Sequence, residues 1–129
     1  MVDAKTVRRV LNLYGKAWVT QDPELILTIF TENAVYNERI LKKPMIGHAQ
    51  IKKYWHDKVV AGQKDIKFKL LHTWVDGNTA IAEWQADFYR TDQRVKLSMR
   101  EVAILTFRGD KISSLREYWH SEELPRKKD

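Results

Sequence analysis

Two consecutive segments decide the fold of this chain: TAIAEWQADFYR at residues 79–90 and RVKLSMREVAILTF at residues 94–107. Apolar and polar side chains alternate with a period of two in both, which is typical of strands with one buried face. The predicted inward faces comprise Ala80, Ala82, Trp84, Ala86 and Phe88 in the first segment and Val95, Leu97, Met99, Glu101, Ala103, Leu105 and Phe107 in the second. The short connection 91–93 predicts an antiparallel pair.

Turn signals extend this pair on both sides. Asp76-Gly77-Asn78 precedes it and Arg108-Gly109-Asp110 follows it, and both contain residues that tolerate the positive φ of tight hairpins. They predict two further strands, about 66–75 and 111–120, and therefore a four-stranded antiparallel meander. Strict alternation places Ile66, Phe68, Leu70, His72 and Trp74 on one side of the first strand and Ser113, Leu115, Glu117 and Trp119 on the inward side of the last.

The N-terminal half has the periodicity of helices. Apolar residues at helical spacing predict helices over 6–20 and 48–60, and Asp22-Pro23-Glu24 predicts the start of a second helix that ends at about residue 30 or 31. A short strand is expected at 34–38, followed by a loop to Gly47. The predicted class is therefore α+β, with three N-terminal helices packed on a strongly curved antiparallel sheet.

Composition limits the classes of function. The 129 residues predict one domain, 1–129, with a core at about 7–120 and a charged tail at 121–129. The chain has no Cys and its four His lack ligand spacing, so we expect no metal and no cofactor. The net charge of +6 is scattered, which predicts no nucleic-acid partner. Without a signal peptide or a spanning apolar run, we expect no membrane contact and a cytoplasmic location.

Two glutamates stand out because they lie on predicted apolar faces. Glu101 and Glu117 share those faces with core residues, and a buried carboxyl must be paired, be protonated, or line a cavity. The alternative is that a β-bulge turns them to solvent, or that each pairs with Arg or Lys.

Small inward residues suggest room for a ligand. Ala82, Ala86 and Ala103 would leave space between large aromatic walls, although they could equally admit a helix. We expect a small apolar molecule to contact Trp18, Tyr36, Trp55, Trp84, Phe88, Leu115, Glu117 and Trp119. The outward set Ile81, Tyr89, Val102, Ile104, Ile112 and Tyr118 predicts a homodimer through the sheet.

A series of motifs resembles the nuclear transport factor 2-like superfamily and, within it, the SnoaL-like branch. The motifs are Tyr14-x-x-x-Trp18, Gln21-Asp22, Ile29-Phe30-Thr31-Glu32-Asn33-Ala34, Pro44-x-x-Gly47-His48 with Ile51, Asp110-Lys111-Ile112 and Arg116-Glu117-Tyr118-Trp119. The resemblance implies a cone-shaped α+β barrel that encloses a pocket. The superfamily includes ketosteroid isomerases, polyketide cyclases, dehydratases, epoxide hydrolases and noncatalytic domains, so the fold alone does not select an activity.

The resemblance also implies roles for individual residues. The oxyanion-stabilising tyrosine of the isomerases falls on Tyr14, and their general base falls on Glu38, where the family has Asp. Their second oxyanion donor falls on Ala103, which argues against ketosteroid isomerisation, and Glu101 is the nearest inward substitute. The predicted catalytic set is therefore Tyr14, Glu38 and Glu101, acting on a small apolar carbonyl compound as an isomerase, cyclase or dehydratase would. A noncatalytic ligand-binding or dimeric accessory module is the alternative.

Overall fold

The computed structural model describes residues 1–125. Its elements in chain order are α1 (Ala4–Thr20), α2 (Pro23–Leu27), β1 (Phe30–Asn37), β2 (Met45–Ile46), α3 (Gly47–Tyr54), a π-helical segment (Trp55–Val60), β3 (Gln63–Asp76), β4 (Thr79–Arg90), β5 (Val95–Arg108) and β6 (Lys111–Glu123). Asp3 caps α1 by accepting the Thr6 N–H, and Asp22 caps α2 with Pro23 at the first helical position. None of the helices in this range is long and apolar enough to cross a membrane.

One six-stranded sheet carries the helices, in the order β2-β1-β6-β5-β4-β3. The predicted meander from β3 to β6 is confirmed, as is the α+β class with its N-terminal helices. β1 joins β6 in parallel, with Tyr36 opposite Leu115, and β2 pairs antiparallel with β1. The strand β6 therefore lies between β5 of the meander and β1, the first strand of the chain.

Several predicted boundaries were wrong. The second helix ends at Leu27 rather than at 30 or 31, because the chain from Phe30 onward pairs with β6. The expected loop before Gly47 contains β2, and the third helix changes to π-helical geometry after Tyr54. The last strand was predicted to end at about residue 120, but β6 continues to Glu123 because β5 provides partners as far as the Leu97–Glu123 pair. Residues 126–129 of the predicted tail lie outside the described residues.

Two β-bulges overturn part of the predicted face pattern. In β3, Leu70 pairs with Trp84 and His72 pairs with Glu83, so Leu71 is the extra residue and the alternation reverses beyond it. Trp74, expected on the same side as Ile66, is consequently on the outer face with 53% of its surface exposed.

The second bulge lies near the start of β6. Thr106 pairs with Ser114 and Phe107 pairs with Ile112, which leaves Ser113 extra. Ile112, expected to face outward as part of a dimer surface, is instead completely buried.

The space beside the inward alanines is filled by protein. A Cβ atom on Gly15 of α1 would lie 2.2 Å from the Phe68 ring, so α1 packs directly against β3 at this point. The Trp84 ring centroid lies 5.1 Å from that of Tyr14 and 5.7 Å from that of Phe68. Ala82, Ala86 and Ala103 are completely buried, and the hollows of the domain lie elsewhere.

Candidate functional site

A pair of buried carboxyl groups forms the centre of the site. Glu101 on β5 and Glu117 on β6 are 2% and 5% exposed, so the predicted inward orientation of both is confirmed. Glu101 lies between Trp84 on β4 and Trp119 on β6, and Glu117 lies opposite Ala103. Among residues 1–125, no Lys, Arg or His forms an ion pair with either carboxyl group. Pairing with a cation therefore does not explain their burial.

Two tyrosines from distant parts of the chain meet Glu117. The Tyr14 hydroxyl of α1 donates to Glu117 Oε1 at 2.9 Å, and the Tyr36 hydroxyl of β1 donates to the same oxygen at 3.0 Å. The two phenol oxygens are 3.1 Å apart. These hydrogen bonds stabilise the charged form of Glu117 more than that of Glu101, whose Oε2 has no partner.

The two glutamates titrate as a coupled pair. Burial raises the pKa of Glu117 to about 8, and the phenol hydrogen bonds oppose that increase. Burial also raises the pKa of Glu101 well above its ordinary value, and the charge of Glu117 raises it further. Both shifts favour the protonated form of the carboxyl groups, and Glu101 lacks the phenol hydrogen bonds that oppose the shift of Glu117.

The pair faces a small cavity behind a large cleft. The cavity measures about 60 Å³ and is lined by both glutamates, Tyr14 and Tyr36, which is enough room for a few water molecules or for the head of a ligand. The adjoining cleft measures about 800 Å³. The residues that line both spaces are Glu38, Tyr54, Gln63, Met99 and Trp119. These shared residues form the boundary between the cleft and the cavity that holds the carboxyl pair.

Glu38 lies at the boundary between the cavity and the cleft. It follows β1 directly, and its side chain is 23% exposed. Burial raises the pKa of Glu38, while Arg39, with Nε 3.4 Å from Glu38 Oε2, lowers it. The Glu38 carbonyl accepts a hydrogen bond from Trp119 Nε1 at 3.2 Å, which fixes the backbone next to the carboxylate.

The π-helical segment forms part of one wall of the cleft, and the side chain of Gln21, the residue that caps the end of α1, is bonded to it. Gln21, with φ of 55°, donates through Nε2 to the carbonyls of Val59 at 2.8 Å and Gln63 at 2.6 Å. The cleft-facing residues of the wall recur at helical spacing: Gln50, Lys53, Tyr54, Asp57, Lys58 and Ala61. Interruptions of this π-helical kind are frequent at functional sites.

Most of the predicted site residues meet around the small cavity. Of the predicted residues, those that line the cavity are Tyr14, Trp18, Tyr36, Glu38, Trp55, Glu101, Glu117 and Trp119, and Phe88 lines the cleft. Trp84 and Leu115 were predicted to contact ligand, but both are fully buried behind these residues and line neither space. They are core residues because the aromatic cluster fills the interior between α1 and the sheet. The catalytic and binding roles of the others stay predictions.

Sequence reasoning missed Gln63 as a site residue. Trp18 Nε1 donates to Gln63 Oε1 at 2.7 Å, and an indole nitrogen can only donate, so the orientation of the amide is determined. Gln63 lines both the cavity and the cleft. It precedes the predicted start of its strand, and no local signal marks it.

A profile of the SnoaL-like domain matches residues 8–115, most of the chain and nearly all of the elements described above. The chain belongs to the SnoaL-like domain family. No curated protein sequence matches it.

Solved structures of SnoaL-like and related proteins share this fold at low identity. SalBIII, an epoxide hydrolase/cyclase-like enzyme with a role in pyran ring formation in the polyether salinomycin, is 22% identical over 93% of this chain and 95% of its own, with a TM-score of 0.79. An isomerase candidate from Bacillus subtilis is 20% identical over 93% and 90%, with a TM-score of 0.80. A protein of ketosteroid isomerase-like fold from Catenulispora acidiphila, in complex with trimethylamine, is 17% identical over 84% and 83%, with a TM-score of 0.75.

Within residues 1–125, no group of three or more His, Cys, Asp or Glu side chains is arranged to hold a metal ion. What the site offers is proton donors and acceptors of different strength in one cavity. Such a set is suited to general acid and base chemistry.

Proposed function

We propose that this SnoaL-like protein is an acid/base enzyme that transfers a proton within a small, largely apolar carbonyl compound. The observation that carries the proposal is that Glu38 and Glu101 line the same cavity in different environments. Glu38 is partly exposed and paired with Arg39, whereas Glu101 is almost completely buried and burial raises its pKa well above the ordinary value. Environments that push two carboxyl groups apart in pKa are a mark of paired acid and base roles.

In the proposed reaction, Glu38 removes a proton from the carbon next to the carbonyl. The electrons of that C–H bond move to the carbonyl oxygen, and the protonated Glu101 stabilises the resulting enolate by donating a hydrogen bond. Glu38 then returns the proton to another carbon, which isomerises the compound, or the enolate expels a leaving group, which gives a dehydratase-type outcome. Every proton removed is returned or leaves with the departing group.

Tyr14 acts indirectly in this scheme. The family resemblance implies that its hydroxyl contacts the substrate oxygen, but that hydroxyl is bonded to Glu117. Tyr14 and Tyr36 are therefore proposed as positioning residues, which hold the carboxyl group of Glu117 on the wall of the cavity that it shares with Glu101. The cyclase-like and isomerase-type relatives support chemistry of this class on the same fold.

The test measures exchange of the α-hydrogens of 2-decanone in D2O by proton NMR. The wild-type protein should accelerate exchange over buffer, and Glu38→Gln should lower the accelerated rate by roughly two or more orders of magnitude. Glu32→Gln, an exposed change on β1 outside the cleft, is the matched control and should exchange at the wild-type rate. An acceleration that Glu38→Gln leaves intact would remove Glu38 from the reaction, and no acceleration of exchange would favour a noncatalytic binding module.

We also propose a homodimer through the outer face of the sheet. The exposed apolar residues on that face are Trp74, Ile81, Val102 and Tyr118, with Ile112 excluded by its burial. Sedimentation of the wild type should show a dimer that Val102→Lys dissociates. A monomeric wild type would refute the arrangement.

A further inference from the structure

The charges around the cleft are not matched. Five cationic side chains and three acidic ones line it. Three of the cations are paired with those acids: Arg39 with Glu38 at 3.4 Å, Lys53 with Asp57 at 2.6 Å and Arg90 with Asp92 at 3.1 Å.

Two lysines are left over. In the described part of the chain, neither Lys42 nor Lys58 forms an ion pair with an acid, and both are exposed. They come from different elements, since Lys42 lies in the β1–β2 connection and Lys58 in the π-helical segment. Both nevertheless line the same cleft. The cleft therefore carries two cations without ion-pair partners, and neither of them lines the small cavity.

The inner end has the opposite character. Glu38, Glu101 and Glu117 line the small cavity, and an anion placed there would meet the charge of Glu38 and would raise the pKa values of the two buried acids further. An anionic group is thus disfavoured inside and favoured at the lysines. Apolar side chains also line the cleft, among them Phe88, Leu97 and Met99.

From this polarity we propose that the substrate is an elongated amphiphile with a carbonyl at one end and an anionic group, such as a carboxylate, at the other. Lys42 and Lys58 hold the anionic group at the outer part of the cleft, and the carbonyl enters the cavity. The proposal rests on the proposed function for the placement of the carbonyl. The charge asymmetry of the cleft stands without it.

The experiment uses two probes that differ only in charge, 9-oxodecanoate and its methyl ester. Calorimetric titration of the wild type at low salt should show the acid binding roughly three- to tenfold more tightly than the ester, as expected for two exposed ion pairs. The preference should shrink as salt is added. Lys42→Gln/Lys58→Gln should reduce it to near unity, whereas the matched control Lys5→Gln/Lys16→Gln on α1 should preserve it.

Equal affinities for the two probes, tighter binding of the ester, or no binding of either would overturn the inference. An unchanged preference in the Lys42→Gln/Lys58→Gln variant would also overturn it. Failure of the proposed function gives a different result, because the acid preference would persist while the protein fails to exchange α-hydrogens. The Glu38→Gln variant separates the two proposals in the same way, because it should lose α-hydrogen exchange but keep the preference for the acid over the ester.

Discussion

Raising the pH from 5 to 9 should destabilise this protein, because the buried glutamates must lose protons in a dry site. The sign follows from proton binding: a carboxyl group whose pKa is raised by folding binds more protons in the folded state than in the unfolded state. Its stabilising contribution is complete below about pH 4.5, which is the ordinary pKa of the group. The contribution is lost as the pH rises through the pKa of the folded state, which is about 8 for Glu117. At ~1.4 kcal/mol per pH unit, that interval corresponds to about 5 kcal/mol for Glu117 alone.

Urea unfolding followed by fluorescence of the five Trp residues measures this dependence. The free energy of unfolding of the wild type should fall by about 1 kcal/mol or more for each pH unit between 5 and 8. Glu117→Gln, which leaves only Glu101 of the buried pair to titrate, should show a shallower slope, and the exposed control Glu32→Gln should follow the wild type. A wild-type free energy that is flat or rises over this range, or a Glu117→Gln slope equal to that of the wild type, would refute the assignment of buried neutral acids.

Three further predictions concern the same cavity and its support. The rate of α-hydrogen exchange should follow a bell-shaped pH profile. It should rise as Glu38 ionises, above its ordinary pKa, and fall as Glu101 and Glu117 lose protons. A rate that rises steadily to about pH 10 would contradict this. Tyr36→Phe removes a hydrogen bond that lowers the pKa of Glu117, so that pKa should be higher in the variant than in the wild type. NMR of the carboxyl carbons measures the pKa, and an unchanged value would show that the phenol does not stabilise the carboxylate. Gly15→Ala should lower the free energy of unfolding by about 1–3 kcal/mol in urea titrations, because the new methyl overlaps the Phe68 ring; an equally stable variant would mean that the ring moves aside freely.

Sequence periodicity was sufficient for the meander and for the inward orientation of the glutamates. Alternation in β4 is unbroken from Ala80 to Phe88, so each inward residue was identified correctly. Alternation failed wherever one extra residue entered a strand, at Leu71 and at Ser113, because a bulge reverses every face beyond it without leaving a signal in the hydropathy pattern.

The site was harder to predict than the fold because it depends on pairings distant in sequence. The contact of Tyr14 and Tyr36 with Glu117 depends on the parallel pairing of β1 with β6. No turn motif and no local periodicity in the sequence predicts that pairing. Trp84 and Leu115 were assigned to the ligand because an inward residue can face either a hollow or a neighbouring side chain. The contact between Phe68 and Gly15 decides between these outcomes, and it appears only when α1 is placed on the sheet.

The parallel pairing of β1 with β6 has a consequence for synthesis and folding. Residues 30–37 cannot complete their ladder until residues 111–123, which are synthesised well after them, have joined the sheet. Loops this long close slowly compared with a hairpin. Burial raises the pKa of Glu101 well above its ordinary value, so we expect this residue on β5 to take up a proton when β6 covers it. Proton uptake late in refolding would therefore report, without any label, that the last strand has docked.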